Sequence, residues 1–428
     1  MRRGEGDSHW SREPRPAAPS DWATGAQNGP VGVRRFVNIA LAACAAILAM
    51  TGVSGVAGGA GPHSAYGSAW AWTNFTHGPA PPSSAGDLLA YDEAANRFVE
   101  FGGWNGSTLN ETWSLDPTTG AWIQLHPPSA PPVRADAMFI YDSTNGLDYL
   151  FGGWTQYTNG TYVRYDDTWS FSLAADRWTE LFPSVSPSPR SDSAVAFDPG
   201  HEEIVLVGGF SGTAYLGDEW TYSPTSGAWT PFTPSGPVPS PRADGRMVYD
   251  SANRTMILFG GNDYSGPNFT FHHLDDTWSL SLASGEWTEI LSPQSPPARD
   301  YAIQAFDTLH DWVLLTAGFG NRTILNDLWA FSPANGTWWA LAVSAPPPGR
   351  YAGVGGFDAV DGTLIVSGGA GTGGLLNDTW SLGPPANAST SASGGLAILL
   401  TLAAGAIMAA IVVTVMLSRR RPPRESAG

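Results

Sequence analysis

The sequence of 428 residues contains no lysine, and this absence excludes two groups of enzymes. A Walker-type phosphate loop and a Schiff-base mechanism both need a lysine amine at a fixed position. Arginine supplies all the basic side chains: 21 basic residues stand against 38 acidic ones, for a formal net charge of -17. Because such an acidic chain repels nucleic-acid phosphates, we expect no nucleic-acid partner.

Cysteine is almost absent as well, because Cys44 is the only one. It lies in an apolar segment near the N-terminus, so the rest of the chain cannot form a disulfide of its own. Stability must therefore come from packing, for which the hydrophobic content of 42% and the aromatic content of 12% are sufficient. Nothing in the sequence points to a cofactor.

Two apolar segments predict where the protein resides. Residues 396–417 are uncharged and long enough to cross a bilayer as a helix, and the tail 418–428 that follows is rich in arginine. By the positive-inside rule, the tail is cytosolic and the preceding region is extracytoplasmic. The apolar stretch 36–56 in the leader 1–61 is typical of a signal peptide or an uncleaved signal anchor. We therefore expect a protein of the cell membrane, with one span or two.

Asn-x-Ser/Thr sequences suit an exported domain and are candidate glycosylation sites. They occur at Asn74, Asn105, Asn110, Asn159, Asn253, Asn268, Asn321, Asn335, Asn377 and Asn387.

The central part of the chain is an internal repeat. Its unit is an aromatic-Asp pair, a turn, an apolar run and two small residues. The six copies read YDEAANRFVEFGG, YDSTNGLDYLFGG, FDPGHEEIVLVGG, YDSANRTMILFGG, FDTLHDWVLLTAG and FDAVDGTLIVSGG. Each is followed by an acid two places before a Trp, and in the first five copies a second Trp follows nine residues later. This regularity indicates one structural unit per copy.

Each copy predicts four short strands. In the second copy they cover residues 135–141, 148–152, 168–173 and 178–182, with hairpin turns between the last two in several copies. The two small residues that end the second strand, mostly glycines, indicate a backbone geometry that a Cβ atom would obstruct.

This pattern resembles the kelch family, including its galactose-oxidase-like central domain. From Trp113 to Trp380 the five repeat steps average about 53 residues, near the roughly 50 of kelch repeats. The resemblance implies an all-β fold, a six-bladed β-propeller over residues 68–384, followed by a linker at 385–395. The copper site of galactose oxidase needs a Tyr crosslinked to a Cys. The exported region has no Cys, so that activity is not expected.

An isolated copy of the fourth strand precedes the first repeat. Residues 68–82 read SAWAWTNFTHGPAPP, similar to SGAWTPFTPSGPVP at 226–239, whereas the sixth repeat has Ser389 where the second Trp is due. We therefore predict that the strand around Trp72 pairs into the last blade and closes the ring without an exposed edge.

A repeated arginine stands seven places before the aromatic-Asp pair, and Ser84 replaces it in the first copy. The residues are Arg134, Arg190, Arg242, Arg299 and Arg350. One interpretation is a ring of guanidinium groups at the channel mouth that binds a carboxylate or phosphate. The other is that each arginine pairs with a repeated acid such as Asp167 or Asp276 and joins strands.

The remaining motifs do not indicate a phosphate-binding, protease or metal site. Residues 369–374 match G-x-G-x-x-G but precede a strand pattern, and the His201-Glu202 pair lacks the second His of a zinc-protease helix. The adjacent His272 and His273 are the only weak candidates for metal ligands, and we predict no metal site.

Loop length distinguishes two copies from the others. The connection between the second and third strands is longer in copies two and four, over residues 154–167 and 262–276. Insertions of this kind map to one face of a repeat array. The candidate ligand-binding aromatics there are Trp154, Tyr157, Tyr162, Tyr264, Phe269 and Phe271.

Two classes of function fit these observations. A recognition module for a protein or glycan outside the cell needs an aromatic-rich face on a rigid scaffold. A small-molecule or glycan-processing enzyme, of isomerase or hydrolase type, needs an unrepeated acid/base pair near the channel mouth. Since the sequence offers no such pair, it favours recognition.

Overall fold

The computed structural model describes residues 70–266 and 270–383, and for 265–266 and 270–271 it describes the backbone alone. The predicted leader, linker, spans and tail lie outside these ranges, as do Phe269, Asn268 and Asn387. Within the described ranges all regular structure is β-strand. No helix there is long and apolar enough to span a membrane.

The described strands follow the repeats in chain order. The first is β1 (Ala71–Asn74). The first blade has β2 (Leu88–Asp92), β3 (Arg97–Phe101), β4 (Thr112–Asp116) and β5 (Ala121–Leu125). The second has β6 (Met138–Asp142), β7 (Leu147–Phe151), the loop strands β8 (Trp154–Gln156) and β9 (Tyr162–Arg164), β10 (Thr168–Ser172) and β11 (Arg177–Leu181). The third has β12 (Ala194–Asp198), β13 (Glu203–Phe210), β14 (Tyr215–Ser223) and β15 (Ala228–Phe232).

The other three blades repeat this order. The fourth has β16 (Arg246–Asp250), β17 (Thr255–Gly266), β18 (Thr270–Ser281) and β19 (Glu286–Glu289). The fifth has β20 (Ile303–Asp307), β21 (Trp312–Thr316), the loop strands β22 (Phe319–Gly320) and β23 (Thr323–Ile324), β24 (Leu328–Ser332) and β25 (Thr337–Ala340). The sixth has β26 (Val354–Asp358), β27 (Thr363–Ser367), the loop strands β28 (Ala370–Gly371) and β29 (Gly374–Leu375), and β30 (Thr379–Gly383).

These strands form six four-stranded antiparallel sheets, as the repeat predicted. The first strands of neighbouring blades contact one another around a ring, and β26 contacts β2. The all-β, six-bladed propeller is therefore confirmed. The first strand of the second blade begins at Met138, three residues later than predicted, because Ala135 instead bridges to Trp154 in the loop.

The sixth sheet takes its outer strand from the beginning of the described chain. Strand β1 pairs antiparallel with β30, with Trp72 opposite Leu382. Trp72 is buried between the fifth and sixth blades, where it packs with residues such as Trp312 and Leu364. Whether the ring depends on this strand for its stability remains a prediction.

The second Trp of each repeat links neighbouring blades. Trp178 packs against Phe101 of the first blade, and its Nε1 donates a 3.1 Å hydrogen bond to Thr112 Oγ1. Trp229 and Trp338 donate in the same way to a threonine of the preceding blade. A buried indole thus obtains both apolar burial and a partner for its N–H. This explains why the residue recurs.

The glycine pair is required by close backbone approach, as predicted. Gly152 has φ 74°, and a Cβ atom added there would lie 2.5 Å from the Arg190 carbonyl oxygen of the next blade. Its neighbour Gly153 donates its N–H to that same carbonyl. The equivalent hydrogen bond from Gly369 to Ser84 joins the sixth blade to the first.

Candidate functional site

The five repeated arginines lie inside the blades. Arg134 is fully buried, and its Nη1 and Nη2 donate 2.7 Å hydrogen bonds to the two carboxylate oxygens of Asp167. Nη1 also donates to the Gly152 carbonyl, and Asp167 accepts a further hydrogen bond from Trp169 Nε1. The same arrangement recurs in Arg190–Asp218, Arg242–Asp276, Arg299–Asp327 and Arg350–Asp378. This is the geometry expected of arginines that join strands.

Three of the partner carboxylates, those of Asp218, Asp327 and Asp378, are stabilised in their charged form. Burial raises the pKa of Asp218, but hydrogen bonds from Arg190 and Trp220 outweigh burial and bring the pKa below its ordinary value. The pKa values of Asp327 and Asp378 are lowered for the same reason. An anionic ligand could reach these guanidinium groups only by displacing a bidentate carboxylate.

The long connections and the segments that lead into the first strands lie at one end of the propeller. Ala135 bridges Trp154, and the equivalent pair in the third blade is Ser191 with Phe210. We call this end the loop face. The opposite face carries the turns between strands one and two of each blade and, in the first five blades, the turns between strands three and four.

Six residues with left-handed backbone form an inner ring on the loop face. Each lies two positions after the repeated arginine, or after Ser84, and has a φ angle from 49° to 68°. They are Gly86, Asp136, Asp192, Asp244, Tyr301 and Ala352. Backbone N–H groups of Asp136, Asp192 and Asp244 each donate to the carbonyl of the preceding ring member, at 2.9 Å. The ring therefore brings three aspartates together, a residue type that tolerates this conformation.

A fourth carboxylate joins these three at the mouth of the channel. We call Asp136, Asp192, Asp244 and Asp300 the mouth cluster. The amide of Asn262 connects two of them, since Nδ2 donates to Asp244 at 2.7 Å and to Asp300 at 2.9 Å. The blades thus contribute unequally: carboxylates come from blades two to five, whereas blades one and six place Gly86 and Ala352 on the ring.

Burial dominates the protonation of the mouth cluster. Together with the charge of the neighbouring Asp192, it raises the pKa values of Asp136 and Asp300 to about 7. The pKa of Asp244 lies well above its ordinary value for the same two reasons. The sequence analysis did not include these residues among its candidates. A sequence pattern could have indicated three of them. An Asp stands two positions after the repeated arginine in three successive copies, and the other copies lack it.

Two unrepeated arginines accompany the cluster. Arg164 Nε donates to Ser191 Oγ at 3.1 Å, and its guanidinium lies 4.7 Å from the centre of the Phe210 ring. Arg246 is the first residue of β16 and donates to the Ala302 carbonyl at 2.7 Å. The charges of both arginines lower the pKa of Asp192, although burial keeps it above its ordinary value.

The channel below the cluster has a volume of about 550 Å³. The first strands line it with mainly small and apolar side chains, such as Ala196 and Val248. Asp87 is an exception: it is only 7% exposed, it lines the channel, and its Oδ1 has no hydrogen-bond partner among the described residues. Burial raises its pKa to about 7.

Four of the six predicted aromatics lie on the loop face with described side chains. Tyr157, Tyr162 and Tyr264 are 52%, 58% and 50% exposed, respectively. Trp154 packs against Tyr162 with ring centres 5.6 Å apart, and its Nε1 donates to Asp136 Oδ2 at 2.7 Å. The side chains of the other two, Phe269 and Phe271, lie outside the described part of the chain.

The third blade adds two aromatics that the sequence analysis missed. Ring centres are 5.1 Å apart for Phe210 and Tyr215, and 5.5 Å apart for Tyr215 and Tyr264. These three rings line an open groove of about 620 Å³ that also includes Pro241 and Asp263. We call Trp154, Tyr162, Phe210, Tyr215 and Tyr264 the aromatic rim. In the sequence, the position directly after the glycine pair is aromatic at Trp154 and Phe210, and this pattern would have indicated both residues as part of the rim.

The two adjacent histidines each lie near a different aspartate. His272 Nδ1 is 3.7 Å from Asp263 Oδ1, and His273 Nδ1 is 3.3 Å from Asp300 Oδ2. Over residues 70–266 and 270–383, no three His, Cys, Asp or Glu side chains are grouped so as to hold a metal ion.

The candidate glycosylation sites that the structure describes are all exposed. They are Asn74, Asn105, Asn110, Asn159, Asn253, Asn321, Asn335 and Asn377. Asn159 lies in the loop between β8 and β9, beside the aromatic rim. A glycan there would narrow the access to the rim. Glycosylation itself stays a prediction.

Comparisons with known proteins identify the same repeat. A family model described as the KLHDC2/KLHL20/DRC7 Kelch-repeats domain matches residues 67–248 and 232–391. The serine/threonine-protein phosphatase BSL2 of Arabidopsis thaliana is 29% identical over 229 residues, which make up 50% of this chain and 21% of the phosphatase. The multiple epidermal growth factor-like domains protein 8 of Mus musculus is 26% identical over 185 residues, 41% of this chain and 6% of that protein. The chain thus spans at most about a fifth of these relatives.

Proposed function

Because this chain belongs to the Kelch-repeat family, we propose that its propeller is a module that recognises a protein or glycan ligand at the loop face. A kelch propeller is consistent with a protein-interaction module, and a protein ligand is the more economical choice. The activity named for the phosphatase relative is not carried over, since the matched part is a small share of that protein.

One observation carries the proposal: equivalent positions of the repeat on the loop face hold chemically different residues. The buried arginine pairs, the tryptophans and the glycine pairs recur and build blades. The inner ring instead varies from Gly86 to Asp136 to Tyr301 at equivalent positions. The residue after the glycine pair varies likewise, from Trp154 to Asn262. Because a blade does not need these differences to fold, the different residues at equivalent positions of the loop face support a ligand site there.

The aromatic rim provides suitable contact area. Exposed tyrosines gain much burial on binding and lose little side-chain entropy, which makes them common in interaction hot spots and in sugar stacking. Tyr157, Tyr162 and Tyr264 are each about half exposed, and Tyr264 lines the groove. This surface can bury a peptide segment or a sugar ring.

We further propose that the propeller is tethered outside the cell. The support is the uncharged run 396–417, the arginine-rich tail 418–428 and the apolar segment 36–56. Protease added to intact cells should remove the propeller and leave a short membrane-bound remnant. A propeller that remains protected until the cells are opened would refute the orientation.

The binding proposal is tested by capture with the purified full chain in detergent. The chain is used on a glycan array and in a pull-down from envelope proteins, beside a Tyr162→Ala, Tyr264→Ala double variant. Leu309→Ala is the matched control, since Leu309 is 59% exposed but lies in the β20–β21 turn of the opposite face. Ligands captured by the wild type and by the control, and lost from the double variant, support the proposal. Equal capture by all three chains would refute it.

A second candidate, an enzyme of isomerase or hydrolase type, is favoured by the mouth cluster. Burial raises the pKa values of Asp136 and Asp300 to about 7, which suits general acid/base catalysis, and Arg246 could hold an anionic group nearby. If this is correct, the full chain should convert a member of a sugar or oligosaccharide panel, detected by mass spectrometry. Asp300→Asn should abolish that conversion.

A further inference from the structure

We propose that the mouth cluster is a pocket for a cationic side chain, an arginine or lysine, of a protein ligand. The inference rests on the proposed recognition function and names the chemistry of the ligand. It follows from charge, from unpaired acceptors and from the surface beside the cluster.

The charge of the mouth is unbalanced. Four carboxylates, Asp136, Asp192, Asp244 and Asp300, share two guanidinium groups. Arg164 is already placed over Phe210, and Arg246 donates to the Ala302 carbonyl. Mutual repulsion among the aspartates is one cause of their raised pKa values. A cation from a ligand would favour the ionised form of these carboxyl groups in a partly buried site, where screening by water is weak.

One carboxylate oxygen each of Asp300 and Asp192 also lacks a hydrogen-bond partner among the described residues. Asp300 is only 3% exposed, and its Oδ1 has no hydrogen-bond partner among the described residues. The same holds for Asp192 Oδ1, and for Asp87 Oδ1 in the channel wall. Buried polar atoms normally have partners, so each orphan needs an explanation. A guanidinium has five N–H donors and no acceptor, which complements a set of unpaired carboxylate oxygens.

The pocket is reachable and has a suitable wall. Asp136 and Asp192 are partly exposed, whereas Asp244 and Asp300 are buried. The groove formed by Phe210, Tyr215 and Tyr264 can take the aliphatic part of an arginine or lysine. The placement of Arg164 over Phe210 shows within this protein how a guanidinium packs on the rim.

The test uses the full chain and a fluorescein-labelled nine-residue Gly/Ser peptide that carries three arginines. The matched peptide carries citrulline, which keeps the shape of arginine but has no charge. Fluorescence anisotropy should give at least tenfold tighter binding for the arginine peptide. Absence of binding, or equal binding of the two peptides, would overturn the inference.

Paired variants separate the pocket from the general acidity of the chain. Asp136→Asn with Asp192→Asn removes two charges at left-handed positions, where Asn is tolerated. The control, Asp176→Asn with Asp311→Asn, removes two charges at left-handed positions in turns of the opposite face. The first pair should weaken binding of the arginine peptide at least tenfold, and the control less than twofold. Equal losses would mean that the peptide responds only to net charge.

A variant that should bind more tightly distinguishes an effect on the pocket from misfolding. Arg164→Gln removes the resident cation beside Asp192 and should tighten binding of the arginine peptide severalfold, an effect that unfolding cannot produce. If it weakens binding, the inference fails. Should the arginine peptide fail while the chain still captures a ligand through Tyr162 and Tyr264, only the cationic pocket is refuted. If the arginine peptide does not bind and the chain also captures no ligand through Tyr162 and Tyr264, the recognition function is refuted as well.

Discussion

Trp72, near the beginning of the described chain, lies directly opposite Leu382, near its end, in the pairing of β1 with β30. Thr379 strengthens this junction: it receives the Phe75 N–H on its carbonyl at 2.6 Å, and its own N–H donates to Thr76 Oγ1 at 2.9 Å. The two ends of the propeller thus share one sheet.

The first prediction concerns this junction. Trp72→Ala should lower the free energy of unfolding by about 3 kcal/mol, because it removes a buried indole from the core between two blades. Deletion of residues 68–76 should cost more, since it also exposes the edge of β30. Denaturant titration of the full chain measures both. Thr73→Ala, on the exposed side of β1, is the control. Cooperative melting of the deletion variant at an unchanged temperature would show that the ring does not depend on β1.

The second prediction tests the role of the repeated arginines. Arg134→Ala should destabilise the protein by about 3 kcal/mol, because it removes the cationic partner of the Asp167 carboxylate and the hydrogen bond from Nη1 to the Gly152 carbonyl. Arg97→Ala breaks a more exposed ion pair with Asp116, at 3.2 Å, and should cost less than about 1 kcal/mol. Thermal melting compares the two. If Arg134→Ala melts like the wild type yet loses an anionic ligand, the arginine ring is a binding site after all.

The third prediction concerns the exposed tyrosines of the loop face. Single changes of Tyr157, Tyr162 or Tyr264 to Ala should each weaken ligand capture several-fold while the melting temperature stays near that of the wild type. The reason is that each side chain is about half exposed and contributes little to the core. Trp154→Ala should differ and lower stability as well, because its Nε1 donates to Asp136. Easy unfolding of the three tyrosine variants would identify these rings as packing residues.

The fourth prediction is a pH dependence of stability. Burial raises the pKa values of Asp87, Asp136 and Asp300 to about 7, so the folded protein binds protons that the unfolded chain releases above about pH 4. Folding is therefore favoured by protonation, and the contribution of the cluster to stability should rise as the pH falls from 8 to about 5. Below about pH 4 this gain is complete. Loss of the pairs formed by Asp218, Asp327 and Asp378, whose pKa values are lowered, then destabilises the fold.

Denaturant titrations at pH 5.5, 6.5 and 8 test this direction. Charged or titratable groups near the mouth cluster are Asp87, Arg164, Tyr215, Arg246, His273 and Tyr301. Since histidines elsewhere also titrate in this range, the informative quantity is the difference between wild type and the Asp136→Asn, Asp192→Asn variant. The variant should gain most at pH 8. Parallel curves for the two proteins would contradict the assignment.

The sequence by itself determined the scaffold, and the reason is repetition. A residue needed to build each blade recurs at a fixed spacing, so the arginine, the acid before Trp113 and its equivalents, and the glycine pair are visible without coordinates. The pairing of the isolated strand around Trp72 follows from the same regularity, and so does the alternative that each arginine pairs with a repeated acid; the structure identifies Asp167 as the partner of Arg134. Strand bounds in the second blade differ by three residues at most, because local loop bridges compete with the sheet at Ala135.

Only the tertiary structure decided what the scaffold presents. Asp136, Asp192 and Asp244 are more than 50 residues apart in successive copies, and each alone resembles an ordinary turn aspartate. Their convergence depends on the radius of the ring, on left-handed backbone at one position per blade, and on hydrogen bonds between neighbouring blades. The ring contact between Tyr215 and Tyr264 likewise joins two blades whose loops differ in length and sequence. Contacts of this kind carry no periodic signal, because a ligand site needs each of its residues once, whereas a blade needs its residues every time.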